Sequence, residues 1–118
     1  MKTLNIAPID FAPAIVQEGN LIRISGKSVL EDAATYFNPL HRWLDEYLQT
    51  EDSIRIEFNL AYFNSTTAKQ ILKFLMRVDD SGVSSEVTWK YPADNEILLE
   101  RGQEFAIMLD LKIKFQAV

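Results

Sequence analysis

The stretch from Ser53 to Val78 limits most tightly what this chain can fold into. Ile54, Ile56, Phe58, Leu60 and Tyr62 alternate with Arg55, Glu57 and Asn59, the period of two that gives a strand one apolar and one polar face. Asn64-Ser65-Thr66-Thr67 follows directly. Beyond it Ala68, Ile71, Leu72, Leu75 and Met76 share one face of an amphipathic helix, with Lys69, Gln70, Lys73 and Arg77 on the other. A strand that enters a helix through four small hydrogen-bonding residues places hydroxyls at the positive end of a helix dipole, beside unpaired backbone N–H groups. A regulatory phosphate can be held there. Ser, Thr and Asn are also what any helix start favours, so spacing alone leaves a plain cap as the competing explanation.

The flanking sequence supplies the rest of an α/β domain. Pro8 and Pro13 around Ile9 and Phe11 read as an extended arm, with a short strand at Leu4 to Ile6. Ala14 to Glu18 and Leu21 to Ser25 form a hairpin across Gly19-Asn20. Ser28 and Glu31 have capping-box spacing, and Ala33, Phe37, Leu40, Leu44, Tyr47 and Leu48 then make a helix stripe that runs on through Pro39 as a kink or a near-collinear break. Trp43 reads as core, and His41 as a surface or partly packed residue. Asp79 lies close to the apolar stripe of its helix, which predicts fraying there before Gly82. Glu86 to Tyr91 is a further strand. Asp94 caps a third helix through Ile97, Leu98 and Arg101 to about Phe105, despite Gly102. Leu109, Leu111, Ile113 and Phe115 alternate in a last strand whose Lys112 and Lys114 guard a sheet edge. The order predicts one domain over residues 1–118, a mixed sheet with right-handed crossover helices packed on it. The Asn64 to Thr67 junction falls on the edge where such sheets bind ligands.

Composition narrows the function. The 118 residues contain no cysteine and a single histidine, so thiolate chemistry is absent and no metal centre or cofactor site suggests itself. A formal charge of −5 without a basic cluster argues against nucleic acid and anionic membrane as partners. No apolar run approaches the ~20 residues of a membrane helix, and Met1-Lys2-Thr3-Leu4-Asn5 lacks a signal-peptide core, which points to the cytoplasm.

Several segments together resemble one family. Gly26-Lys27-Ser28 with Glu31-Asp32-Ala33, Tyr36-Phe37-Asn38-Pro39 with Trp43-Leu44 and Tyr47-Leu48, Tyr62-Phe63-Asn64-Ser65-Thr66-Thr67 with Lys69, Val87-Thr88-Trp89-Lys90-Tyr91, and Gly102-Gln103-Glu104-Phe105 are similar to the SiaC-type bacterial regulatory phosphoproteins, relatives of the STAS-domain anti-sigma-factor antagonists. The resemblance implies a STAS-like fold and a non-enzymatic switch. A dedicated serine/threonine kinase would phosphorylate the junction, a PP2C-type phosphatase would reverse it, and the unmodified form would bind and activate a partner such as a diguanylate cyclase, in cyclic-di-GMP and biofilm signalling. The family's acceptor is a threonine directly after the asparagine; here that position is Ser65, with Thr66 the second candidate. Ile9 and Ala12 stand where the family often has threonines, and Val29-Leu30 replaces a Tyr-Pro pair.

Around Ser65, the partner-binding candidates are Tyr62, Phe63, Asn64, Thr66, Lys69, Glu31 and Asp32. Two adjacent aromatics cannot both enter one core face, so Tyr62 or Phe63 reaches the surface. Lys69 either steadies a phosphate or meets the partner, or simply sits on a solvated face; Glu31 and Asp32 offer an acidic rim or serve only as helix-dipole partners. Asn64 and Thr67 read as caps, Thr67 with Gln70 in capping-box spacing. The alternatives are partner switching that controls transcription, a small enzyme using Asp94, Glu96, Glu100 or His41 as acid or base, and an oligomer subunit joined through a strand edge.

Overall fold

The computed structural model describes residues 3–118; Met1 and Lys2, at the start of the expected arm, lie outside the described residues. Its elements are β1 (Asn5–Ile6), β2 (Ala14–Glu18), β3 (Leu21–Ser28), α1 (Ala33–Thr50), β4 (Ser53–Phe63), α2 (Ser65–Ser81), β5 (Ser84–Tyr91), α3 (Glu96–Met108) and β6 (Ile113–Ala117). The six strands lie in sequence order in one mixed sheet. β1, β2 and β3 pair antiparallel, while β3, β4, β5 and β6 are parallel. Each parallel step moves the same way across the sheet, so right-handed crossovers place all three helices on one face. Register agrees: Ile24, Phe58, Trp89 and Phe115 pair side by side, as do Ile22, Ile56, Val87 and Ile113, and both rows face the helices. The opposite face is polar and carries the Arg23–Glu57 and Lys90–Glu57 ion pairs.

The helices form for the reasons the sequence suggests, with different first residues. α1 starts at Asp32, whose Oδ1 accepts from Thr35 N at 3.2 Å, and not at Ser28. Ser28 instead ends β3, fully buried, because β3 continues three residues past Ser25. α1 runs unbroken through Pro39. α2 continues through Asp79, with no fraying there, and ends at Gly82; Asp79 Oδ2 accepts from Asp110 N at 3.0 Å. α3 is capped by Asn95 in place of Asp94. Its buried stripe is Leu98, Gly102 and Phe105, and Ile97 faces outward. On α2, Phe74 and Val78 fill the core position expected of Met76, which is exposed.

β4 departs from strict alternation at one place. Leu60 pairs with Gly26 but Tyr62 pairs with Lys27, leaving Ala61 as an extra residue. This bulge reverses the alternation, so Tyr62, at 52% exposed, leaves the apolar face on which the period of two puts it and is the one of the two aromatics that reaches the surface, while Phe63 is 3% exposed. Gly26, at φ 106°, supplies the backbone conformation beside it that other residues rarely adopt.

Phe63 joins Phe58, Trp89 and Phe105 in an aromatic cluster with ring centroids 5.2 to 6.2 Å apart. Trp89 Nε1 donates to Leu98 O at 2.9 Å, and a Cβ on Gly102 would stand 2.7 Å from the indole, so α3 lies directly on this ring. Gly102→Ala gains about 1 kcal/mol of helix propensity but overpacks this contact at a cost of about 1–3 kcal/mol. Net destabilisation is expected, read as a lower urea midpoint followed by tryptophan fluorescence.

Candidate functional site

The C-terminal ends of β3, β4 and β5 lead into the N-termini of α1, α2 and α3, so Asp32, Asn64 and Asn95 cap three helices along one edge of the sheet. Asn64 is the best connected. Its Oδ1 accepts from Thr67 N at 3.1 Å and Thr67 Oγ1 at 2.8 Å, and its Nδ2 donates to Leu30 O at 2.9 Å. Because the Thr67 hydroxyl proton goes to Asn64, Ser28 Oγ is the donor in the buried 2.6 Å Ser28–Thr67 contact. Thr67 therefore serves a buried chain of hydrogen bonds and is not a cap; Gln70, its expected capping-box partner, bonds to His41 at 2.8 Å.

This network separates three neighbouring hydroxyls. Thr66 Oγ1 donates to Leu30 O at 2.7 Å, with Asn64 Oδ1 as an alternative acceptor at 3.0 Å. Thr67 is 0% exposed. Ser65, the first residue of α2, is exposed, and no described residue hydrogen-bonds its hydroxyl. Thr67 N is taken by Asn64 Oδ1 and Ala68 N by Asn64 O, so the Ser65 and Thr66 N–H groups are the first-turn donors left without an intrahelical partner.

Ser65 opens onto a cleft of about 520 Å³ between α2 and α3, lined also by Ala61, Tyr62, Phe63, Asn64, Asn95, Ile97, Leu98 and Arg101. Arg101 is the one charged lining residue, and its Cζ lies 4.9 Å from the Phe63 ring centroid. Tyr62 and Ile97, the latter 71% exposed, form the cleft's apolar rim. Phe11 O accepts from Val29 N, one residue before the Leu30 carbonyl held by Asn64 and Thr66, and both Ile9 and Phe11 are exposed.

The sequence candidates thus separate. Tyr62, Asn64, Ser65 and Thr66 are brought together; Phe63 forms the floor beneath them. Glu31 and Asp32 are exposed beside Leu30, and Asp32 is engaged by Thr35, whose hydroxyl and N–H hold its carboxyl below the usual range. Lys69 does not line the Ser65 cleft: it borders the groove between α1 and α2 and a small depression between α2 and α3. Arg101, Ile97, Ile9 and Phe11 were not singled out from sequence.

The residues of the enzyme alternative do not gather. Asp94, Glu96 and Glu100 are exposed around α3, whereas His41 is packed between α1 and α2 against Gln70, the second of the two expected placements. Among the described residues, no group of three or more His, Cys, Asp or Glu is placed to hold a metal ion, and no helix is long and apolar enough to cross a membrane.

A family model, SiaC family regulatory phosphoprotein, matches residues 7–118. No curated protein sequence matches the chain. Among solved structures, apo-SiaC from Pseudomonas aeruginosa superposes with a TM-score of 0.91 at 21% identity, covering 99% of this chain and 100% of that one. In the crystal structure of diguanylate cyclase SiaD in complex with its activator SiaC, from the same organism, the match has a TM-score of 0.92 at 21% identity over 98% and 99% of the two chains. These likenesses show the fold.

Two outcomes follow from the geometry. Asn64→Ala removes a cap worth about 1 kcal/mol and strips partners from buried groups at about 1–3 kcal/mol, so chemical denaturation should show a loss on the order of 2–4 kcal/mol, while Ser65→Ala stays near wild type. Burial, opposed by the Gln70 bond, lowers the His41 pKa below its ordinary 6.5; Lys73 lowers it further and Asp45 raises it. The unfolded chain then binds the proton more readily, so stability falls as pH drops below about 6.5, and a pH series of melts should show a shallower fall for His41→Gln.

Proposed function

Because the chain belongs to the SiaC family of regulatory phosphoproteins, we propose that Ser65 is its reversible phosphorylation site and that the surrounding edge docks a signalling partner in the unmodified state. The observation that carries this reading is the sorting of the junction hydroxyls: Ser65 is exposed without an internal partner, Thr66 is tied to Leu30, and Thr67 is buried. A kinase can reach the first without unfolding the helix start. Transfer of the γ-phosphoryl group of ATP to Ser65 Oγ adds about −1.5 to −2 charges and three acceptor oxygens, and a PP2C-type phosphatase returns the hydroxyl by hydrolysis.

The docking surface on this reading is the apolar rim of Tyr62 and Ile97, continued by Phe11 and Ile9 past Leu30. Asn64 and Thr66 hold its shape, Phe63 supports it from beneath, Glu31 and Asp32 border it, and Lys69 contributes from the adjacent groove. An unmodified serine is compatible with a partner's apolar surface, whereas a phosphate dianion in the middle has to be desolvated against a surface that brings no matching charge of its own. The partner class is a diguanylate cyclase, as for the structural neighbour that activates SiaD. The protein works in the cytoplasm as a binding switch and carries no catalytic residue of its own.

Incubation with its cognate kinase and ATP should add one phosphate to wild type and to Thr66→Val, and none to Ser65→Ala, by intact mass. Phosphate remaining on Ser65→Ala moves the site. Ser65→Asp should weaken binding of the partner cyclase on the order of a hundredfold by calorimetry. Unimpaired binding sinks the gating idea.

A further inference from the structure

The cleft beside Ser65 is lined by one cation, Arg101, which in the unmodified protein rests on an aromatic ring and has no anionic partner among the described residues. Arg101 lies over the Phe63 ring with Cζ 4.9 Å from the centroid, half-buried, and no carboxylate among the described residues lies within 4 Å of its guanidinium. Its backbone is fixed: Leu98 O accepts from Trp89 Nε1, and Gly102, the next residue, sits against the indole. Only the side chain is free to swing. A guanidinium resting on a ring is held more weakly than one that meets phosphate oxygens with two parallel N–H bonds. Lys69, one turn beyond Ser65 on α2, does not line this cleft, although it shares the neighbouring depression between α2 and α3 with Arg101.

Taking Ser65 as the phosphorylated residue, we propose that Arg101 is the receptor for the phosphate, leaving the Phe63 ring to pair with it across the cleft. Phosphorylation then acts twice. It places charge on the docking edge, and it draws the arginine side chain between Tyr62 and Ile97, covering the apolar floor that an unmodified partner reaches. α3 thereby senses a modification made on α2 without any shift of its backbone.

The test installs phosphoserine at position 65 of the whole chain during translation, without a kinase, so that a kinase acting elsewhere would count against the preceding reading and leave this one standing. The second ionisation of the phosphate is followed by ³¹P NMR. Against an ordinary value of about 6, it should lie lower in wild type, with roughly one unit, a tenfold change in proton affinity, lost in Arg101→Ala. Arg101→Lys should recover part of the shift, and Lys69→Ala should leave it unchanged. Tryptophan fluorescence of the unmodified variants checks that α3 stays seated on Trp89. Identical titrations of wild type and Arg101→Ala would overturn the proposal, as would a shift that disappears in Lys69→Ala.

Discussion

The carboxamide of Asn64 ties together pieces of chain that arrive at the functional edge separately: the end of β4, the first turn of α2 and the loop leaving β3. Its oxygen satisfies the Thr67 N–H and hydroxyl, and its nitrogen reaches Leu30 O. Each bond alone is worth about 0.5–1.5 kcal/mol net. Their joint effect is positional. Thr66 and Thr67 become part of the scaffold, Ser28 is drawn in beneath them, and the one side chain at the helix start left outside the network is Ser65. Chemical similarity among three consecutive hydroxyl residues is thus resolved by packing into one accessible group and two structural ones.

A second constraint sets what surrounds that group. Without the extra residue at Ala61, the alternation of β4 would send Tyr62 into the core and Phe63 to the surface. With it, the phenol stands on the rim and the phenyl ring completes the cluster with Trp89 and Phe105. The same ring supports the Arg101 guanidinium. One bulge therefore places both an apolar contact at the edge and the cation in the cleft, which is consistent with the tendency of bulges to re-aim side chains next to functional sites.

Much of this was legible in the sequence, for reasons that also explain the failures. The strand over Ser53–Phe63 and the helix after it were read correctly because period-two and helical patterns in long amphipathic elements are set by burial on one side. Helix starts are ambiguous where several capping residues compete nearby: Ser28 with Glu31 has capping-box spacing, which Asp32 with Thr35 lacks, and only the extension of β3 through Ser28 decides for Asp32. Asp94 lost to its neighbour Asn95 in the same way. The bulge left no signal, since Ala61 is neither glycine nor proline. Gly26, paired with Leu60 next to the bulge, carries the backbone evidence, and pairing is invisible in one strand.

α3 shows how a single residue can hide a site. Treated as a weak helix former, Gly102 leaves Ile97 and Leu98 equally eligible for the core, and Arg101 reads as an ordinary surface cation. Treated as the contact point for a large ring, Gly102 fixes the stripe at Leu98, Gly102 and Phe105 and rotates Ile97 and Arg101, four residues apart, onto the neighbouring row. That row faces the cleft. The close approach of helix to indole is thus what carries both residues to the Ser65 side of the molecule, and any side chain at position 102 would have to move them to make room for itself.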